Sequence, residues 1–112
     1  MAREFLKPSG LKVTLVHSYV SAIFDEAAAK YFVPDFIKID IEGAEALVLR
    51  GANATLSQKR PAMIIETHGA EAEAECMLLL AKTGYTPSVV ERSRGLFSES
   101  RGVGYNRWLV CY

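Results

Sequence analysis

The chain has 112 residues and a mass of 12.3 kDa, enough for one domain that buries about two thirds of its unfolded surface. Hydrophobic residues make up 50% and charged residues 23%, the balance of an ordinary globular protein. The 13 basic residues offset 13 acidic ones, so no net field draws in nucleic acid or an anionic membrane.

Residues 1–10 read as a tail ending in the turn Pro8-Ser9-Gly10. Leu11 to Val16 alternates apolar residues with Lys12 and Thr14, which predicts a short strand. Val20, Ile23, Phe24, Ala27, Ala28 and Tyr31 then recur at helical spacing, so a helix is predicted over about 19–32, ended by Val33-Pro34.

Phe36 to Ile41 is predicted as a strand with Ile37, Ile39 and Ile41 on one face and Phe36, Lys38 and Asp40 on the other. A helix follows from about Ala44, with Leu47, Val48, Gly51, Ala52, Thr55 and Leu56 as its apolar stripe and Gly51 as a weak point. Pro61 opens a strand that runs through Ile64 and Ile65 to Glu66-Thr67-His68, where Gly69 breaks it. Residues 70–83 form another helix, acidic in its first turns, with Cys76, Leu79, Leu80 and Thr83 facing inward and Gly84 as its cap. Thr86–Glu91 is a strand, residues 93–106 a polar loop, and Arg107–Tyr112 a last strand.

The order β-α-β-α-β-α-β-β predicts an α/β fold, a mostly parallel sheet with helices on both faces. No helix separates the last two strands, so at least one of them runs antiparallel to the rest.

Cys76 and Cys111 lack metal-ligand spacing and are too few for a disulfide framework, so they read as reduced, buried thiols. No apolar run approaches a membrane span, and Met1-Ala-Arg-Glu-Phe-Leu-Lys lacks the apolar core of a signal peptide. The expectation is a cytoplasmic protein without nucleic-acid or membrane partners.

Ligands of open α/β sheets bind outside the carboxyl ends of the strands. Two such ends are unusually polar here, Asp40-Ile41-Glu42-Gly43-Ala44-Glu45 and Glu66-Thr67-His68. If their strands are parallel neighbours, Asp40, Glu42, Glu66 and His68 share one rim. There they could act as bases, position a polar substrate or hold a metal. Glu42 and Glu45 can also be explained as acidic residues favoured at a helix N-terminus, and His68 as an exposed loop residue. His17 reads as a plain strand-end residue. The spacing alone does not assign a metal. Arg92, Arg94, Arg101 and Arg107 either hold an acidic substrate group or decorate a solvated loop. Gly102-Val103-Gly104 precedes a strand and opens no helix, so it is not a nucleotide-binding loop.

The run from Pro34 to Glu45, with Lys38-Ile39-Asp40-Ile41-Glu42-Gly43-Ala44-Glu45 at its centre, closely resembles the signature of FkbM-type methyltransferases. The likeness continues through Val48-Leu49-Arg50-Gly51-Ala52, Leu56, Arg60-Pro61, Glu66-Thr67-His68 and Gly84-Tyr85. Asp35 to Asp40 also resembles a strand of cyclic-dinucleotide phosphodiesterases of the EAL type, but that barrel needs about 250 residues.

The FkbM resemblance implies a Rossmann-like class I fold and transfer of a methyl group from S-adenosylmethionine to a sugar or natural-product hydroxyl. It places Asp40 at the cofactor and Glu42, Glu66 and His68, as catalytic residues, around the substrate. The family's opening strand and its glycine-bearing cofactor loop have no counterpart in residues 1–112. Residues 11–112 are therefore expected to be the C-terminal half of the domain, inactive alone. In the complete fold further strands lie between strand 11–16 and strand 36–41. Here strand 11–16 could move in beside 36–41. Otherwise a complementing N-terminal half or a second copy would cover that edge, with a homo-oligomer favoured. A non-catalytic, oligomerising module is the alternative.

Overall fold

A computed structural model describes residues 24–91 and 107–112 in full, and residues 2–6, 12–16 and 106 as backbone. Ala2–Leu6 (β1) and Lys12–Val16 (β2) pair antiparallel, from Ala2↔Val16 to Leu6↔Lys12. Residues 2–6, expected as tail, are thus a strand. The predicted strand at 11–16 forms, but its partner is β1 rather than strand 36–41. A hairpin partner a few residues away closes at a smaller entropic cost than a distant strand.

The helix predicted over 19–32 is observed at Phe24–Lys30 (α1); residues 17–23, His17 among them, lie outside the described residues. Phe36–Ile39 (β3) buries Ile37 and Ile39 and exposes Phe36 and Lys38, the parity that the sequence predicts. The single helix expected after Ala44 is two, Glu45–Gly51 (α2) and Asn53–Lys59 (α3). The break falls at Ala52, whose backbone amide donates to Leu49 at 3.3 Å in a tightened last turn. It comes one residue after the glycine expected to weaken the helix. Asp25 of α1 then caps α3, accepting hydrogen bonds from the amides of Ala54 (2.9 Å) and Thr55 (2.8 Å) and from the Thr55 hydroxyl (2.7 Å).

Ala62–His68 (β4), Ala70–Lys82 (α4), Ser88–Glu91 (β5) and Asn106–Cys111 (β6) complete the described elements. Helix α4 faces inward with Cys76, Leu80 and Thr83, as predicted, while Leu79 is half-buried. It ends in a paired turn: Gly84 N–H donates to Ala81 (3.1 Å) and Tyr85 N–H to Leu80 (2.9 Å).

The main sheet has the order β3-β4-β6-β5. Strand β3 runs parallel to β4, and β6 inserts antiparallel between β4 and β5. This is the mixed α/β sheet that the sequence predicts, and it is compatible with a partial Rossmann-like methyltransferase fold. Helices α2, α3 and α4 share one core with Ile37, Ile39, Met63, Ile65 and Leu109. These three helices pack over the face of the sheet that carries those residues. On the other face Ile64, Glu66, Trp108 and Val110 are half-buried. Among the described residues β3 pairs only with β4, so its outer edge is open. No described helix is long and apolar enough to cross a membrane.

Candidate functional site

The parallel register of β3 and β4 assembles the rim. Phe36 lies beside Ala62 and Lys38 beside Ile64. The same alternation carried one step further sets Asp40 beside Glu66, just past the end of β3. His68, the last residue of β4, follows. Gly69 then turns the chain directly into α4 with a φ of +112°, a conformation few other residues adopt cheaply. One ligand-type atom each of Asp40, Glu66 and His68 lies within 4.8 Å of the other two. His68 Nε2 stands 3.8 Å from Asp40 Oδ1.

The residue that organises the rim is Glu45. It is the first residue of α2 and has no exposed surface. His68 Nδ1–H donates to its Oε1, and Gly43 N–H approaches the same oxygen at 3.4 Å. Its Oε2 is buried and has no hydrogen-bond partner among the described residues. Sequence reading treats Glu45 as a helix-dipole residue and misses this role. The available signal is its spacing: Glu45, Val48, Leu49 and Ala52 stand at helical intervals on one buried stripe. Leu47, predicted for that stripe, is instead exposed because it falls on the opposite side of α2.

The hydrogen bond to Glu45 holds the His68 pKa above its ordinary value of 6.5; partial burial opposes this, and the charges of Glu45, Glu66 and Asp40 add to it. Glu42 is exposed in the turn between β3 and α2 and lies outside the converging group. Arg107 is drawn into a network on another part of the sheet. Its Nε donates to Glu73 at 2.8 Å, its Nη2 also donates to Glu73, and its Nη1 donates to Glu91 at 3.0 Å. Arg92, Arg94 and Arg101, and the Gly102-Val103-Gly104 segment, lie outside the described residues. Cys76 and Cys111 are free and buried, as expected.

The polar rim thus lies at the carboxyl ends of two parallel strands, the place where open α/β sheets in general bind ligands. The methyltransferase FkbM domain family matches residues 14–93, well over half of the chain, and the chain belongs to that family. The family implies methyl transfer in general. Neither a curated protein nor a solved structure matches the chain.

Proposed function

We propose that the chain carries the acceptor side of a methyltransferase that uses S-adenosylmethionine, acting on a hydroxyl of a sugar or natural product. The observation that supports this reading is the Glu45–His68 pair. A carboxylate with no exposed surface contributes little to stability and much to orientation. With Nδ1–H committed to Glu45, the neutral ring that forms above the raised His68 pKa presents its Nε2 lone pair on the rim side, near Asp40. Nε2, Asp40 and Glu66 are then lone-pair donors that bind an acceptor hydroxyl and draw off its proton. The cofactor would supply an electrophilic methyl group. Asp40 suits it in chemistry, because an exposed carboxylate accepts hydrogen bonds from the ammonium, amino or hydroxyl groups that such a molecule presents. Glu42, outside the converging group, has no part in this assignment.

The open edge of β3, with exposed Phe36 upon it, supports a second element of the proposal. A complementing N-terminal segment of the domain, or failing that a second copy, pairs there and completes the cofactor side. Isolated chain titrated with S-adenosylmethionine in a calorimeter is therefore expected to give no heat.

The test of function is transfer of a labelled methyl group to a panel of sugar and polyketide hydroxyls, catalysed by the chain together with its complementing segment. His68→Gln should lower transfer by about two orders of magnitude, the contribution of a positioned base. Undiminished transfer by His68→Gln would overturn the assignment.

A further inference from the structure

We propose that Asp40, Glu66 and His68 form a site for one divalent metal ion that accepts both carboxylate and imidazole ligands, of the Mn2+ or Mg2+ kind. Three side chains from the ends of two adjacent strands each offer one ligand atom, and all three atoms fall within 4.8 Å of one another. Around an ion with bonds of about 2.1 Å, donors at right angles stand about 3.0 Å apart and opposite donors about 4.2 Å apart. The 3.8 Å between His68 Nε2 and Asp40 Oδ1 lies inside that range. The Asp40 side chain is 45% exposed, which leaves it room to adjust to an ion.

An independent observation comes from behind the ring. Glu45 is wholly buried, its Oε2 has no partner among the described residues, and its Oε1 takes the Nδ1 proton of His68. Metal-binding histidines are commonly held in this way, with a carboxylate on one nitrogen fixing the ring so that the other meets the ion. Stability alone explains Glu45 poorly, since an apolar residue of similar size in a buried position is often no worse. An ion on Nε2 accounts for the arrangement. It draws electron density from the ring, strengthens the Nδ1–H bond to Glu45 and sets a positive charge near a buried negative one. It also removes the repulsion between the neighbouring carboxylates of Asp40 and Glu66.

The donor set selects the ion. Two carboxylate oxygens and one imidazole nitrogen suit hard to borderline cations, and both described thiols are buried outside the group. Three protein ligands leave coordination positions for water and for a substrate oxygen. A hydroxyl bound to the ion loses its proton at lower pH than it does in water. With the ion bound, Nε2 and the two carboxylates would serve as ligands rather than bases, and the proton of an ion-bound acceptor hydroxyl would pass to solvent water; the binding of the ion does not depend on the methyl-transfer reading.

The test uses the isolated chain, stripped with a chelator, and Mn2+ alone as probe. Electron paramagnetic resonance of free Mn2+ should show one ion bound per chain, displaced by excess Mg2+. Asp40→Asn and Glu66→Gln should each weaken binding at least about ten-fold, and Glu45→Gln by about ten-fold through loss of ring orientation. Asp35→Asn, an exposed carboxylate before the other end of β3, should leave it unchanged. Asp40 is exposed, so its variant is expected to fold, and circular dichroism checks this. As a second readout, bound Mn2+ should broaden the His68 imidazole resonances first. Two results would overturn the site: no bound Mn2+ at millimolar concentration, or equal weakening by Asp35→Asn and Asp40→Asn. Methyl transfer that persists in chelator, from a chain that binds no Mn2+, would remove the metal site and leave the methyltransferase reading standing.

Discussion

His68 donates a hydrogen bond from Nδ1 to Glu45, a carboxylate without solvent contact that also sits at the first turn of α2. The two residues depend on each other unequally. Removing the imidazole leaves a buried charge unpaired, whereas neutralising the carboxylate leaves a neutral hydrogen bond. His68→Ala should therefore destabilise the fold by about 3 kcal/mol, and Glu45→Gln by no more than about 1 kcal/mol. Urea unfolding of the two variants checks the order; equal losses would contradict it.

The same pair makes stability depend on pH. The folded chain holds the His68 proton more tightly than the unfolded chain, whose histidine titrates near 6.5. The native state binds more protons through this window, so stability falls as pH rises. The contribution is complete below about 6.5 and is lost once pH exceeds the raised folded value. Thermal melting in chelator, from pH 6 upward, should show this decline, and His68→Gln should flatten it.

Asp25 caps a helix that is not its own, through the amides of Ala54 and Thr55 and the Thr55 hydroxyl. Asp25→Ala should cost about 1–2 kcal/mol, at the upper end for a lost cap, because one side chain serves three donors. Chemical denaturation measures it. Thr55→Val should recover only the part carried by the hydroxyl.

Gly84 adopts a φ of +87°, and a Cβ there would stand 2.7 Å from Arg60 Nη1. Arg60 donates to the carbonyls of Thr83 (3.3 Å) and Gly84 (2.9 Å), and its guanidinium lies over the Tyr85 ring. Gly84→Ala displaces this side chain and strains the backbone, for a loss of about 1–2 kcal/mol in thermal or urea unfolding. Adding Arg60→Ala to it should cost less than Arg60→Ala does alone.

Burial pushes the thiols of Cys76 and Cys111 up to about 11. Neither should react with a disulfide reagent at pH 8 in the native state, and both should react in denaturant. Rapid native labelling at either position would mean that the core opens there.

The strands and the rim were legible from alternation, because Ile37 and Ile39 must face the core and Asp40 must not. Helix α4 was legible for a similar reason: its apolar spacing and its glycine cap agree. The partner of β2 was not, since register and pairing depend on which strand lies closest in space, and Arg3-Glu4-Phe5-Leu6 has no strong strand pattern of its own. The break at Ala52 depends on Asp25, about thirty residues earlier, which satisfies the amides that an unbroken helix would have bonded. Glu45 was hidden because one local cause, the helix dipole, already explained an acidic residue at that position. Only the tertiary position of His68 shows that the carboxylate faces inward.

The placement of β6 has a consequence for how the molecule forms. It lies between β4 and β5 and is the only described partner of β5. Its pairs run from Met63↔Cys111 to His68↔Asn106, joining residues far apart in the chain. During synthesis β3 and β4 can meet early, but β5 has nothing to pair with until residues 106–111 emerge. The sheet therefore closes only once β6 is available, and a nascent chain halted before residue 106 lacks Leu109 and Cys111 from its core and exposes the β4 edge to neighbouring chains.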